Sequence, residues 1–175
     1  MTDQSVLPAQ WIELLESLEH RVAQAEAQLA LYQQVSLYGP AVDSLQSSMA
    51  AELWTEEGVY DIGDPQFDAD GRTAIQALFD ADYHRQLVAS GCAHTMTLPH
   101  LKIQGDTALG LGYHRLFTQS EGRYELFRLS VSRWEWRRVD NVWQTTRRVH
   151  RLLGEDGEGR KLLEQTLADM QAMEV

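Results

Sequence analysis

The strongest constraint on the fold of this chain is the alternation of apolar and polar residues in its second half. The alternation has a period of two over 92–103, 107–118, 124–139 and 142–153, and these segments are separated by short connections. The connections Gly105-Asp106, Glu121-Gly122 and Asp140-Asn141 contain residues that favour tight turns. Period-two alternation is typical of strands, so this half is predicted to form an antiparallel meander.

The first half has the apolar spacing of three and four residues that is typical of amphipathic helices. This pattern runs from Leu7 to about Leu53. Proline lacks an amide donor, so Pro40 predicts a break near Gly39-Pro40, followed by a short second helix that ends at Trp54. A short strand over 58–63, a helix over 72–87 and a terminal helix over 160–173 are also predicted. Helices followed by a curved sheet predict an α+β fold, here as a single domain over 1–175.

Charge and cysteine content narrow the classes of function. The chain has 15 basic and 26 acidic residues, a net charge of -11, which disfavours nucleic acid and anionic membranes as partners. No apolar run approaches the roughly 18 residues of a membrane-spanning helix. The single Cys92 cannot form an internal disulfide, and no signal-peptide pattern opens the sequence, so a cytoplasmic protein is expected.

Common cofactor and metal motifs are missing from the sequence. Gly110-Leu-Gly112 lacks the third glycine of a dinucleotide-binding fingerprint and lies in a strand pattern, where that motif does not occur. His94 and His100 are six residues apart on one predicted strand, about 20 Å, too far to share an ion. We therefore expect neither a cofactor nor a metal.

An acid and an imidazole form the most informative pair. His94 shares a strand face with Cys92 and Met96, and a histidine in apolar surroundings needs a polar partner. Asp43 falls close to the inward stripe of the first helix, where an unpaired acid is costly. The two residues are therefore candidates to pair, although a solvent-facing or helix-capping Asp43 and a structural His94 fit the sequence equally well.

A pair of this kind has a defined chemistry. The carboxylate would fix the imidazole tautomer and stabilise its protonated form, while the free nitrogen takes a proton from a substrate. Arg148 is a candidate to stabilise developing negative charge, and Tyr38 and His114 are candidate proton donors. A packing role in the core explains Tyr38 as well as a proton-donor role does. For His114 the packing role is the better explanation.

Five stretches of the chain resemble the SnoaL-like branch of the NTF2-like superfamily. They are Leu37–Leu45, Ala51–Asp61, Gly71–Ile75, Cys92–Met96 and Val142–Arg148, within a region of about 25–153. The resemblance implies a cone-shaped domain whose bent sheet surrounds a deep apolar pocket. The helices outside this region would then be additions at either end.

Within that superfamily the sequence is most similar to enzymes of the scytalone dehydratase, bile acid 7α-dehydratase and hexachlorocyclohexane dehydrochlorinase types. The resemblance implies that Asp43 and His94 are the catalytic dyad, that Arg148 is the arginine of the last strand, and that Tyr38 is the tyrosine of the bile acid enzyme. A second acid of that enzyme has no clear counterpart here. The implied function is a cofactor-independent lyase; a non-catalytic binding or assembly module and an isomerase- or cyclase-like enzyme remain alternatives.

The expected partner of the pocket is a small hydrophobic cyclic substrate. Aromatic and apolar side chains together with one histidine are predicted to surround it: Trp54, Tyr60, Phe79, Met96, His114, Phe127 and Trp134. The resemblance also implies a homodimer or homotrimer.

Overall fold

A computed structural model describes residues 8–173, arranged as five helices and seven strands. The helices are α1 Ala9–Asp43, α2 Ser47–Ala51, α3 Arg72–Asp80, α4 Asp82–Ala89 and α5 Glu158–Ala172. The strands are β1 Trp54–Asp61, β2 Ala69–Asp70, β3 Cys92–Met96, β4 His100–Gln104, β5 Thr107–Ser120, β6 Arg123–Val139 and β7 Val142–Leu152. Among the helices of this described region, none is long and apolar enough to cross a membrane.

The strands form one curved sheet in the order β2-β1-β7-β6-β5-β3, with β4 also paired to β5. All pairs are antiparallel except β1 with β7. The predicted α+β class is confirmed, and the meander is present as β4 to β7. Register shifts interrupt the long β5–β6 and β6–β7 pairs, and such bulges bend strands.

The predicted helix break at Gly39-Pro40 is wrong. Helix α1 continues through Pro40 to Asp43, and the chain leaves the helix at Ser44 and Leu45, where Leu45 has a φ of 57°. Pro40 lies in the last turn, so its missing amide costs the helix one bond near its end. Leu7, where the predicted pattern began, lies outside the described residues, and Trp54 opens β1 instead of ending a helix.

Two other predicted elements are divided. The helix over 72–87 is split at Ala81, which has an extended ψ of 146°, into α3 and α4. The strand over 92–103 is split before Pro99, which has no amide to donate to a ladder. His94 and His100 therefore lie on different strands, both paired with β5.

The two faces of the sheet pack against different helices. Trp54, Trp134 and Tyr38 are almost completely buried in the larger core, which includes residues of α1, α2 and α3. Residues on the opposite face of β5 and β6, such as Leu111 and Val131, pack with Met170 of α5 in a smaller core. The space between the first helices and the sheet is where the candidate site lies.

Candidate active site

A glycine brings α1 unusually close to β3. Gly39 is buried, and a Cβ atom placed on it would lie 2.1 Å from the backbone carbonyl oxygen of His94. Only glycine permits this approach of helix to strand. Because Asp43 follows one helical turn later on the same face, the close packing sets its carboxylate beside His94.

Both oxygens of the Asp43 carboxylate are bound by His94. Oδ1 lies 2.5 Å from the ring Nδ1, and Oδ2 accepts the backbone N–H of the same residue at 2.8 Å. The Cys92 thiol donates to Oδ1 at 3.5 Å. Burial raises the pKa of Asp43, but the hydrogen bonds and charge of His94 outweigh it and hold this pKa below its ordinary value. The carboxylate is therefore ionised at neutral pH.

The other side of the imidazole faces a cavity of about 80 Å³. Because the Asp43 carboxylate accepts a hydrogen bond from Nδ1, the second ring nitrogen, Nε2, is left for other contacts, and it has no hydrogen-bond partner among residues 8–173. This is the arrangement of a general base whose tautomer is fixed by a carboxylate. The cavity is lined by Tyr38, Tyr60, Ile62, Phe67, Leu78, Phe79, Tyr83, His84, Leu87, His94, Leu116 and Arg128.

Five of the seven predicted pocket residues lie outside the cavity wall: Trp54, Met96, His114, Phe127 and Trp134. Trp54 is fully buried with its ring 5.8 Å from that of Tyr60, and Trp134 is 1% exposed with its ring 5.9 Å from that of Tyr38, so both support the wall from behind. Met96 lines a separate groove between α1 and β3. Tyr60 and Phe79 lie on the cavity wall as predicted.

The prediction that Phe127 lines the pocket is wrong, since its side chain is 58% exposed. Phe127 is seven residues from the inward-facing Trp134, and an odd separation on one strand places side chains on opposite faces. The β5–β6 register runs from Leu116 opposite Arg128 to Phe117 opposite Leu126, so Phe127 is the extra residue of a bulge. Arg128 lines the cavity instead.

Tyr38 and Arg148 form one unit. The Tyr38 hydroxyl is 3.1 Å from that of Tyr60, and the Arg148 guanidinium lies over the Tyr38 ring at 4.2 Å. Arg148 is fully buried, donates from Nε to Ser132 at 3.2 Å and makes no ion pair with any residue in 8–173. Arg148 lies behind Tyr38 and is not on the cavity wall. We therefore assign it an electrostatic effect on the Tyr38 hydroxyl in place of the predicted direct contact with a substrate.

The hydroxyl of Tyr38 remains protonated at all ordinary pH values. Burial raises its pKa far above the usual value of a tyrosine, and the nearby charge of Arg148 offsets only part of that shift. A neutral phenol at the wall of a cavity is a hydrogen-bond donor for a bound molecule.

Four imidazoles form a row through the site. Ring centroids are 5.9 Å apart for His84 and His94, 5.5 Å for His94 and His114, and 5.5 Å for His114 and His150. Burial lowers the pKa of His84, His114 and His150, and the charge of Arg148 lowers the last two further. Both ring nitrogens of the predicted donor His114 lack partners within the described chain. Within this row, an acid binds only His94.

Sequence reasoning missed His84 altogether. Its Nδ1 is 2.8 Å from the carbonyl oxygen of Phe79, and the break at Ala81 between α3 and α4 turns its ring toward the cavity. Nothing in the helical periodicity of 72–87 marks that break, so the sequence carries no signal for this position.

The Asp43–His94 dyad and the neighbouring Cys92 together hold the donor atoms that are best placed to bind a metal. One donor atom each from Asp43, Cys92 and His94 lies within 4.8 Å of the other two. The Cys92 thiol and Nδ1 of His94 both already hydrogen-bond to Oδ1 of Asp43, and burial together with the charge of Asp43 raises the pKa of Cys92 to about 12. A thiol with so high a pKa is a poor nucleophile and a poor metal ligand at neutral pH.

Comparisons with known proteins agree with this architecture. The family model for a SnoaL-like domain matches residues 23–149. The crystal structure of an NTF2-like protein with a cystatin-like fold from Novosphingobium aromaticivorans is 35% identical, covering 85% of this chain and 96% of that one, with a TM-score of 0.82.

Two further solved structures share the fold at low identity. Aln2 from a Streptomyces species is 17% identical with a TM-score of 0.64, over 80% of this chain and 95% of that one. ActVI-ORFA from Streptomyces coelicolor is 16% identical with a TM-score of 0.61, over 71% and 96%. No curated protein matches this chain.

Proposed function

The chain belongs to the family of SnoaL-like domains, and we propose that it is a cofactor-independent lyase acting on a small hydrophobic cyclic substrate. The observation that carries the proposal is the His94 imidazole, which is bound to the Asp43 carboxylate on one side and lines the cavity on the other. The wall around it is mostly aromatic and aliphatic, which suits an apolar ring.

The proposed reaction begins with proton abstraction. Nε2 of His94 removes a proton from a ring carbon that is acidified by a neighbouring electron-withdrawing group, and Asp43 stabilises the imidazolium that results. The electron pair of the broken C–H bond becomes the new double bond, and a hydroxide or halide leaves with its own bonding pair. Tyr38 donates a hydrogen bond to that leaving group, which suits a phenol that stays neutral.

The cavity sets a limit on the substrate. An apolar cavity of roughly 150 Å³ accommodates benzene, so a space of about 80 Å³ must widen to admit a ring. Phe67 and Tyr83 line the cavity with their rings 5.3 Å apart, and Tyr83 is 51% exposed. We propose that these two side chains move apart when a substrate enters.

The proposal is tested with a panel of cyclic β-hydroxy and β-halo ketones. Elimination is followed by the absorbance of the conjugated product, and proton abstraction is followed separately by deuterium incorporation in D₂O. Replacing His94 by Gln should lower turnover by about 10²- to 10⁴-fold, the usual contribution of a general base, with little change in thermal midpoint. His100→Gln, at an exposed histidine of β4, is the matched control and should retain full activity.

The alternatives give different results in the same assays. Deuterium incorporation that depends on His94 but yields no elimination product would indicate an isomerase- or cyclase-like enzyme and contradict the lyase. Ligand binding by calorimetry with neither reaction would indicate a binding module. Loss of folding in His94→Gln would indicate that the pair with Asp43 is structural.

A further inference from the structure

The first half of α1 extends beyond the rest of the molecule. Every residue from Ala9 to Ala23 is exposed, and the first buried residue of the helix is Ala27. This segment nevertheless carries large apolar side chains, with Trp11 51%, Leu15 47% and Val22 53% exposed. An isolated helix of this length is marginally stable in water, and an apolar row of this kind is typical of an interaction surface.

The apolar residues follow a heptad repeat. Seven of them are separated by alternating steps of four and three: Trp11, Leu15, Leu18, Val22, Ala25, Leu29 and Tyr32. We call this set the α1 seam. An average spacing of 3.5 residues keeps a seam facing a second helix in a left-handed supercoil, and three consecutive heptads are enough to suggest a coiled coil.

The α1 seam lies on the side of the helix that faces away from its own core. Leu29 is 62% exposed, although Ala27 and Leu31, two residues away on either side, are 7% and 0% exposed. A second helix can therefore follow the seam for about 30 Å without displacing the core. The next two heptad positions, Ser36 and Gly39, are not apolar anchors, so the seam ends at Tyr32.

We propose that α1 pairs with α1 of a second copy of this chain as a parallel two-stranded coiled coil. The charges beside the seam favour this orientation. In a parallel pair, Arg21 faces Glu26 of the second copy, and the symmetric contact repeats it. In an antiparallel pair, the flanking positions that hold Glu19 and Glu26 would face each other, which places like charges together.

The same charges argue against a membrane as the occupant of the seam. Residues 9–26 of α1 carry four glutamates, at positions 13, 16, 19 and 26, against the single Arg21. Helices that lie on anionic lipid are rich in Lys and Arg on their polar face. In a parallel pair the two cores lie on opposite outer sides of the seam. No residue of the α1 seam lines the cavity, so the inference does not rest on the proposed function.

The mass of the full chain in solution tests the association. Light scattering at micromolar concentration should give about twice the chain mass of 19.9 kDa. Leu18→Glu, within the seam, should reduce the mass to that of one chain, whereas Ala23→Glu, the same charge on an exposed position outside the seam, should not. Circular dichroism establishes that both variants remain folded. A wild-type mass of one or three chains, or a mass unaffected by Leu18→Glu, would overturn the proposal.

Charge exchange tests the orientation. Arg21→Glu and Glu26→Arg should each raise the dimer dissociation constant several-fold at low salt, and the double variant should return it close to the wild-type value. The rescue is specific to the parallel pair, because only there do positions 21 and 26 face each other. Two weakened single variants without rescue would exclude the parallel arrangement.

Discussion

The contact between Gly39 and β3 gives the sharpest test of how the fold positions the dyad. Replacing Gly39 by Ala would place a Cβ 2.1 Å from the His94 carbonyl oxygen, where ordinary contacts begin at 3.4 Å. Helix and strand must then separate by about 1.3 Å. Moved as a rigid unit, Asp43 would lie about 3.8 to 4.1 Å from both His94 nitrogens, beyond hydrogen-bonding distance.

The magnitude follows from three opposing contributions. Alanine is better than glycine inside a helix by about 1 kcal/mol. Overpacking costs about 1–3 kcal/mol, and weakening hydrogen bonds to a charged group costs about 1.5–3 kcal/mol more. We therefore expect Gly39→Ala to lower the free energy of unfolding by about 1.5–5 kcal/mol, opposite in sign to the effect of helix propensity alone.

Urea unfolding measures the free energy of unfolding, and deuterium incorporation into the ketone panel measures proton abstraction by the dyad. Ser36→Ala, at an exposed position one turn earlier in α1, should leave both unchanged. Proton abstraction in Gly39→Ala should fall to the level of Asp43→Asn. A Gly39→Ala variant as stable as wild type, or more stable, would refute the reasoning, because it would mean that α1 does not contact β3 this closely.

Other predictions follow from the same geometry. Asp43→Asn should lower turnover by about 10²- to 10⁴-fold in steady-state assays, because an amide leaves the imidazolium of His94 without its counter-charge; unchanged turnover would exclude the dyad. Tyr38→Phe should cost about 1 kcal/mol in urea unfolding through the lost contact with Tyr60, and should lower elimination more than deuterium incorporation. The pKa of the buried His114 is lower when folded than when unfolded, so stability is complete above the unfolded pKa of about 6.5 and falls as pH drops below it. Urea titrations at several pH values should show a shallower acid slope in His114→Gln than in wild type.

Elements with strong local signals could be predicted from the sequence. The turns Gly105-Asp106, Glu121-Gly122 and Asp140-Asn141 set the ends of β5, β6 and β7 to within a few residues, because positive φ values at these connections suit glycine, asparagine and aspartate. The residues alone left the pairing of Asp43 and His94 open against a solvent-facing Asp43, and the resemblance to the SnoaL-like branch favoured the pair that the structure contains.

Most of the predictions that were wrong concern features that tertiary contacts determine. Pro40 was expected to break α1, but one missing amide in a last turn is a small loss beside the packing of Gly39 against β3. Phe127 is the exception, because period-two counting from Trp134 already places Arg128, six residues away, on the cavity side and Phe127, seven residues away, on the opposite face. Periodicity gives the side on which a residue lies but not its depth, so it could not show that Arg148 stands behind Tyr38.

Burial and the charge of Arg148 together act on two of the four imidazoles of the site, His114 and His150. A buried guanidinium with no carboxylate beside it is costly, and here it lies over the rings of Tyr38 at 4.2 Å and Trp134 at 4.5 Å, contacts worth about 2 kcal/mol when desolvated. Its fixed charge adds to burial in lowering the pKa values of His114 and His150, so neither adds a second charge behind the cavity. His94 alone in the row has a carboxylate to balance a proton taken from a substrate. Burial, reinforced by Arg148, thus keeps His114 and His150 neutral, while the Asp43 carboxylate is the group that would let His94 hold a proton in the proposed reaction.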